Sequence, residues 1–320
     1  MVTTLQQAAP AGIAPEQPVI DIDGLQVSYG AVQAVRNVNL QVRQGEIFGL
    51  LGPNGAGKTT TLSAIEGLVQ PQAGRITVLG RDIRTQAREI KRRLGISLQT
   101  TAFFDSLRVW ELVRFYAGLY DVMLSKAQVL DLLAGFALAE KAGARAEELS
   151  GGQQQRLALA LAIANHPEIV ILDEPTTGLD PQARRNVWDS IRQIRARGCT
   201  VLLTTHYMEE AQELCHRVAI IDRGEIIALD TPGGLINSLH ADSLITATVR
   251  LPADRVRVLP GVTSAHYEGD KLAVHTSNAQ ETVLGLQQLA VEQRQLLTDL
   301  SIRQPDLEDV FITLTGRKIR

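Results

Sequence analysis

The chain has 320 residues, and 35 acidic side chains against 32 Lys and Arg give a formal net charge of −3. That balance excludes a surface built to coat nucleic acid, and 45 % hydrophobic with 21 % charged residues describes an ordinary globular protein with room for about two domains. Two cysteines exclude a disulfide framework and read as reduced thiols, while the longest apolar run, residues 157–164, falls far short of the ~18 residues that span a bilayer.

Residues 1–18 are rich in Ala, Gln and Pro, have little to bury and are expected to form a disordered tail. No basic stretch followed by an apolar one is seen there, so no secretory signal is read. Residues 19–29 and 35–42 alternate apolar and polar, as half-buried strands do, and imply an antiparallel subsheet. Residues 46–51 form a short apolar strand, 60–68 a helix, 75–80 a strand, 88–94 a charged helix and 95–99 a buried strand. Residues 100–165 change character and read as a helical insert, with helices over 109–120, 126–136 and 153–164. Apolar strands at 168–174 and 200–205 belong inside a parallel sheet. Between and after them come helices at 183–197 and 208–214, then a hairpin of 217–222 and 225–230 about Arg223-Gly224. From residue 242 the pattern restarts as strand, short helix, two strands about Glu268-Gly269-Asp270, helix, strand and a last helix over 305–314 with Pro305 near its first position. This order is expected to give a small ferredoxin-like α+β domain over 242–320.

Chemistry concentrates at five places. Gly52-Pro53-Asn54-Gly55-Ala56-Gly57-Lys58-Thr59 reads G-x-x-x-x-G-K-T, with an apolar strand before it and a helix after it. Successive N–H groups of such a loop make an anion nest at a helix N-terminus. Lys58 supplies a point charge for phosphate, and the Thr59 hydroxyl suits Mg²⁺. Leu149-Ser150-Gly151-Gly152-Gln153 combines a Ser-x-x-Gln capping box with two glycines that expose N–H groups, a second candidate phosphate site. Asp173 and Glu174 end an apolar strand where open α/β sheets bind ligands. Asp180 lies in the loop that follows, and His206 ends the next strand.

In this order, with Gln99, these pieces resemble the ATP-binding cassette (ABC) ATPases over residues 19–234. The resemblance implies a P-loop cassette: a parallel α/β core, an antiparallel β subsheet and a helical subdomain over about 100–165, within a nucleotide-binding domain spanning 19–238. It implies ATP and Mg²⁺ as cofactors. It makes Tyr29 the aromatic that stacks on adenine, the loop from Gly52 to Thr60 the phosphate cradle, and Thr59, Gln99 and Asp173 the metal residues. Glu174 becomes the general base, His206 the γ-phosphate switch, Gln99 a second switch and Lys58 the phosphate clamp. Asp180 becomes a dimer-interface residue, although Thr-Gly-Leu-Asp stands here where the family often has Ser-Ala-Leu-Asp. In the family, Ser150 to Gln153 of one copy cap the γ-phosphate held by the other, so one cassette per chain implies a homodimer or a pair with a similar chain. Residues 306–316 resemble the ending of daunorubicin-resistance and sodium-efflux export ATPases. That implies an exporter subunit on the cytoplasmic face of the cell membrane, working with separate permease subunits and with no nucleic acid. Two other classes stand beside it: a soluble cassette ATPase acting on ribosomes or DNA, and a regulatory cassette without turnover. The first usually carries two cassettes or a long coiled coil, and Glu174 with His206 argues against the second.

Overall fold

The structure, a computed structural model, describes residues 18–98, 103–104 and 106–316. Residues 1–17 of the expected tail, and Gln99, lie outside the described residues. The described chain divides into two compact units, residues 18–232 and 233–316.

The first unit opens with β1 (Pro18–Tyr29), β2 (Val32–Arg43) and β3 (Ile47–Leu51), followed by α1 (Lys58–Ile65). After them come β4 (Ala73–Val78), β5 (Arg81–Asp82), α2 (Ile83–Lys91) and β6 (Leu94–Ser97). A helical segment supplies α3 (Val109–Gly118), α4 (Lys126–Gly135) and α5 (Gly151–Ala162), which pack on one another. The chain then returns through β7 (Ile169–Asp173), α6 (Pro181–Ala196), β8 (Thr200–Thr205), α7 (Met208–Leu214), β9 (Arg217–Asp222) and β10 (Glu225–Asp230). The helix α8 (Pro232–Ser238) follows at the junction of the units.

Two sheets result. The antiparallel one runs β2-β1-β4-β5, and the larger runs β10-β9-β3-β8-β7-β6. Every residue of β3, β7 and β8 is buried, as their unbroken apolar runs require of strands covered on both faces. Ile20, Leu25, Val27 and Val38 of the first sheet share a core with Phe48, Leu50, Ile171 and Leu202 of the second and with Leu62 and Ile65 of α1. Full burial of each such side chain stabilises the fold by about 1.5–3 kcal/mol. The parallel registers Leu51↔Thr205 and Asp173↔Thr204 bring the C-terminal ends of β3, β8 and β7 side by side. Everything that leaves those three strands therefore starts at one edge of the sheet.

The charged helix expected at 88–94 instead begins at Ile83. Asp82, which reads as turn chemistry, caps it by accepting the Arg84 N–H at 2.9 Å, and burial of Ile83 and Ile90 holds its inner face. The helix α8 has no counterpart among the expected elements.

The second unit runs β11 (Ser243–Thr248), α9 (Ala253–Arg257), β12 (Val262–Glu268), β13 (Lys271–Thr276), α10 (Ala279–Glu292), β14 (Thr298–Arg303) and α11 (Leu307–Thr315). Its antiparallel sheet has the order β12-β13-β11-β14. The pairs Ile245↔Val274 and Ala247↔Leu272 point alternate residues into a core with Val256, Leu286 and Leu289. The last helix starts at Leu307, and Asp306 rather than Pro305 caps it. The Asp306 carboxylate accepts the Glu308 and Asp309 N–H groups, which places Pro305 just outside the cap.

Candidate functional site

The loop between β3 and α1 wraps an anion-sized concavity. Gly57 takes φ 106°, and a Cβ there would lie 2.5 Å from the Ala34 carbonyl oxygen. Only glycine permits this close crossing of two backbones. The loop opens on a cleft of about 460 Å³ lined by Tyr29, Ala34, Asn54, Gly55, Gly57, Lys58, Thr59, Thr60 and Glu174. Tyr29 is 54 % exposed at the rim, its ring free of the core.

Lys58 is buried, and three acceptors surround its ammonium. The Gly52 and Pro53 carbonyl oxygens lie at 2.8 and 3.1 Å, and Glu174 Oε1 lies at 3.1 Å. An ammonium has three protons, so each has a partner. Next to it, Thr59 Oγ1 donates to Asp173 Oδ2 at 3.0 Å.

Asp173 and Glu174 are adjacent but reach this loop by different routes. Asp173 is the last residue of β7. Glu174 turns sharply at φ 47°, a left-handed conformation that costs a non-glycine residue roughly 1 kcal/mol. Its N–H donates to Thr204 Oγ1 at 3.0 Å and to the Thr204 carbonyl at 3.2 Å. The same Thr204 hydroxyl donates to Asp173 Oδ1, so one β8 side chain holds both acids. Glu174 Oε2 accepts from Thr177 Oγ1 at 3.0 Å and meets His206 Nδ1 at 3.1 Å. Burial pushes the Glu174 carboxyl up, but the Lys58 charge and hydrogen bond, His206 and Thr177 outweigh it, and the net displacement is downward. The group is an ionised acceptor at neutral pH.

The structure thus brings Gly52 to Thr60, Asp173, Glu174 and His206 together and leaves Tyr29 at the cleft's rim. It does not bring the Ser150 stretch into this cleft. Ser150 caps α5 through a reciprocal box, its N–H donating to Gln153 Oε1 at 2.9 Å and its Oγ accepting the Gln153 N–H at 3.4 Å. Ser150 and Gly151 are exposed. Gly152 faces α6, where a Cβ would meet Ala183 Cβ at 2.9 Å. Asp180 caps α6 by accepting the Ala183 N–H at 2.9 Å. Thr204 and Thr177 were not among the expected site residues. Two threonines, Thr204 and Thr205, following the apolar run of residues 201–203 were the available signal for the first.

Residues 35–177 match the family described as ABC transporter. Over 95 % of its length the chain is 40 % identical to the Nod factor export ATP-binding protein I of Paraburkholderia xenovorans (strain LB400), of which it covers 99 %. The chain belongs to the ABC transporter family. Within that family it is an ATP-binding subunit of the exporter type, an ATPase whose hydrolysis is coupled to transport. It is 34 % identical over 94 % of its length to the linearmycin resistance ATP-binding protein LnrL of Bacillus subtilis (strain 168), covering all of it. Among solved structures, the dimeric MJ0796, a bacterial ABC transporter cassette, superposes with a TM-score of 0.60 at 27 % identity. That match covers 66 % of this ABC subunit and 98 % of the solved chain.

Proposed function

We propose that this ABC subunit hydrolyses ATP in a pair of cassettes and drives export through separate membrane-spanning permease subunits, to which it binds peripherally. The observation that carries the reading is the trio of acceptors around Lys58, with Glu174 as the charged one. A triphosphate entering the loop competes for the Lys58 ammonium, and the contact it displaces most readily is the side-chain one. Glu174 then keeps Thr177 and His206 as partners, stays ionised, and turns its freed oxygen toward a water at the γ-phosphate. In that arrangement Glu174 orients the water and takes its proton, while His206 holds the transferred phosphoryl. Tyr29 is assigned to the adenine face.

The oxygens of Thr59 and Asp173, 3.0 Å apart, are the hard donors Mg²⁺ prefers. Bound there with Gln99, Mg²⁺ would neutralise charge on the β- and γ-phosphates. Among the described residues no helix is long and apolar enough to cross a membrane, so the path for the exported molecule is assigned to partner chains. The relatives named for Nod factor export and linearmycin resistance support export as the direction of transport. We assign residues 19–238 to the nucleotide-binding domain, with a helical subdomain over about 100–165. Residues 242–320 form an accessory domain, whose strand order β12-β13-β11-β14 supports a ferredoxin-like reading.

Glu174→Gln tests this. Phosphate release should fall at least about 100-fold, while equilibrium binding of Mg·ATP should persist. Near-normal turnover would remove Glu174 from its assigned role.

A further inference from the structure

Behind the site lies a buried acid that the mechanism above does not use. Glu210, on α7, is fully buried. Its Oε1 accepts two hydrogen bonds, from Thr176 Oγ1 at 2.8 Å and from Trp188 Nε1 at 3.0 Å. Its Oε2 has no hydrogen-bond partner.

Glu210 and its two partners come from three separate parts of the site. Thr176 stands in the loop just after Glu174. Glu210 itself lies on α7, which follows β8 and His206. Trp188 lies on α6, the helix that Asp180 caps. Burying a carboxyl costs several kcal/mol unless its hydrogen bonds are made, and a well-packed apolar residue would serve stability as well or better. What the carboxyl supplies is one acceptor that gathers two donors.

We propose that Glu210 is a positioning residue that holds the Glu174 loop, through Thr176, in register with α7, the helix that follows His206, and ties both to α6 through Trp188. The proposal rests on the assignment of Glu174 as the base. The need for such a brace is visible in Glu174 itself. Its left-handed φ of 47° persists only where surroundings over-determine it. Thr204 fixes the N–H side of the turn, and Thr176 fixes the side that leaves it. A displacement of about 1 Å at a general base can cost on the order of 100-fold in rate.

The test measures kcat, KM for Mg·ATP and melting temperature in full-length protein. Glu210→Ala should lower kcat by about tenfold or more with KM within about twofold, because phosphate binding belongs to a different loop. Glu210→Gln, whose amide oxygen can take both donors at the Oε1 position, should restore kcat to within about threefold of wild type. Thr176→Val removes one donor without changing shape and should lower kcat about threefold. Combined with Glu210→Ala it should add nothing further, since both changes break the same bond. If Glu210→Ala does not fold, Thr176→Val and Glu210→Gln still decide. Wild-type kcat in Thr176→Val overturns the proposal, as do additive losses in the double variant or a Gln substitution as damaging as Ala. Glu174→Gln, run alongside, separates the two readings. If it retains turnover, the base assignment fails. If it loses turnover while the Glu210 and Thr176 variants stay at wild type, only the positioning role fails.

Discussion

Asp173 and Glu174 follow one another in sequence, yet one is held by Thr59 and the other by Lys58 and His206. Their residue types and their place at a strand end were legible in the sequence, as were the phosphate loop and His206. The left-handed turn that separates their directions was not, because nothing in Leu-Asp-Glu-Pro encodes a positive φ; Thr204, thirty positions away, imposes it. Buried acids on helices were equally hidden. Glu210 follows Glu209 and reads as a solvated face, and Glu66 reads as the polar end of α1. Glu66 is only 3 % exposed. Burial first, and the neighbouring Asp173 charge second, raise its pKa from 4.5 to about 7, with Lys91 opposing them. The folded state therefore binds more protons than the unfolded one between those two values, and this group's contribution to stability is lost as pH rises through that window. Glu66→Gln removes the dependence. In the nucleotide-free protein it should leave the melting temperature nearly unchanged at pH 4.5 and raise it by about 4 °C above pH 8. An equal shift at both pH values would contradict the buried, titrating assignment.

At the level of elements, the hairpin about Arg223-Gly224 was legible because a glycine sits between two short apolar runs. What it rests on was not. The Gly224 N–H donates to the Ala56 carbonyl at 2.9 Å, and its carbonyl accepts the Arg36 N–H at 2.7 Å. The turn of one hairpin thus clamps the phosphate loop and the edge of β2 together. Gly224 has φ 84°, and a Cβ there would lie 2.8 Å from the Ala34 carbonyl oxygen. Gly224→Ala therefore meets both strain and a backbone clash. It should destabilise the protein by about 1–3 kcal/mol and weaken Mg·ATP binding, since Ala34 and the loop line the same cleft. Gly269→Ala is the control. It shares the positive φ, at 62°, but a Cβ there meets nothing within 4 Å, so melting should fall less and nucleotide affinity should not change. Equal affinities in the two variants would show that the hairpin does not brace the loop. The same local logic explains the misplaced helix at 88–94. Turn and cap use the same residue types, and only the burial of Ile83 decides between them.

For the whole molecule, the informative fact is that the Ser150 helix tip does not line the phosphate-loop cleft of its own chain. The cleft is walled by Tyr29, the phosphate loop and Glu174, while Ser150 and Gly151, at the N-terminus of the 12-residue helix α5, face solvent. An exposed helix tip with glycine-bared N–H groups attracts phosphate, and in the proposed pairing it would close over Lys58 of a second cassette. Sequence alone makes this pairing an implication of the Leu-Ser-Gly-Gly-Gln resemblance. The structure adds that the Ser150 hydroxyl accepts the Gln153 N–H and the Gln153 side chain accepts the Ser150 N–H, which presents the helix tip in a fixed shape. In a Glu174→Gln background, where hydrolysis does not reopen the pair, Mg·ATP should convert the full-length chain from monomer to dimer on size exclusion with light scattering. Adding Ser150→Arg should weaken that dimer by at least about tenfold, because a bulky cation would fill the space the γ-phosphate must share. The cap it removes is worth about 1 kcal/mol, so the fold should survive, and each chain should still bind Mg·ATP through Lys58. A dimer that persists undiminished in the double variant, or a monomer that no longer binds nucleotide, would place the capping function elsewhere.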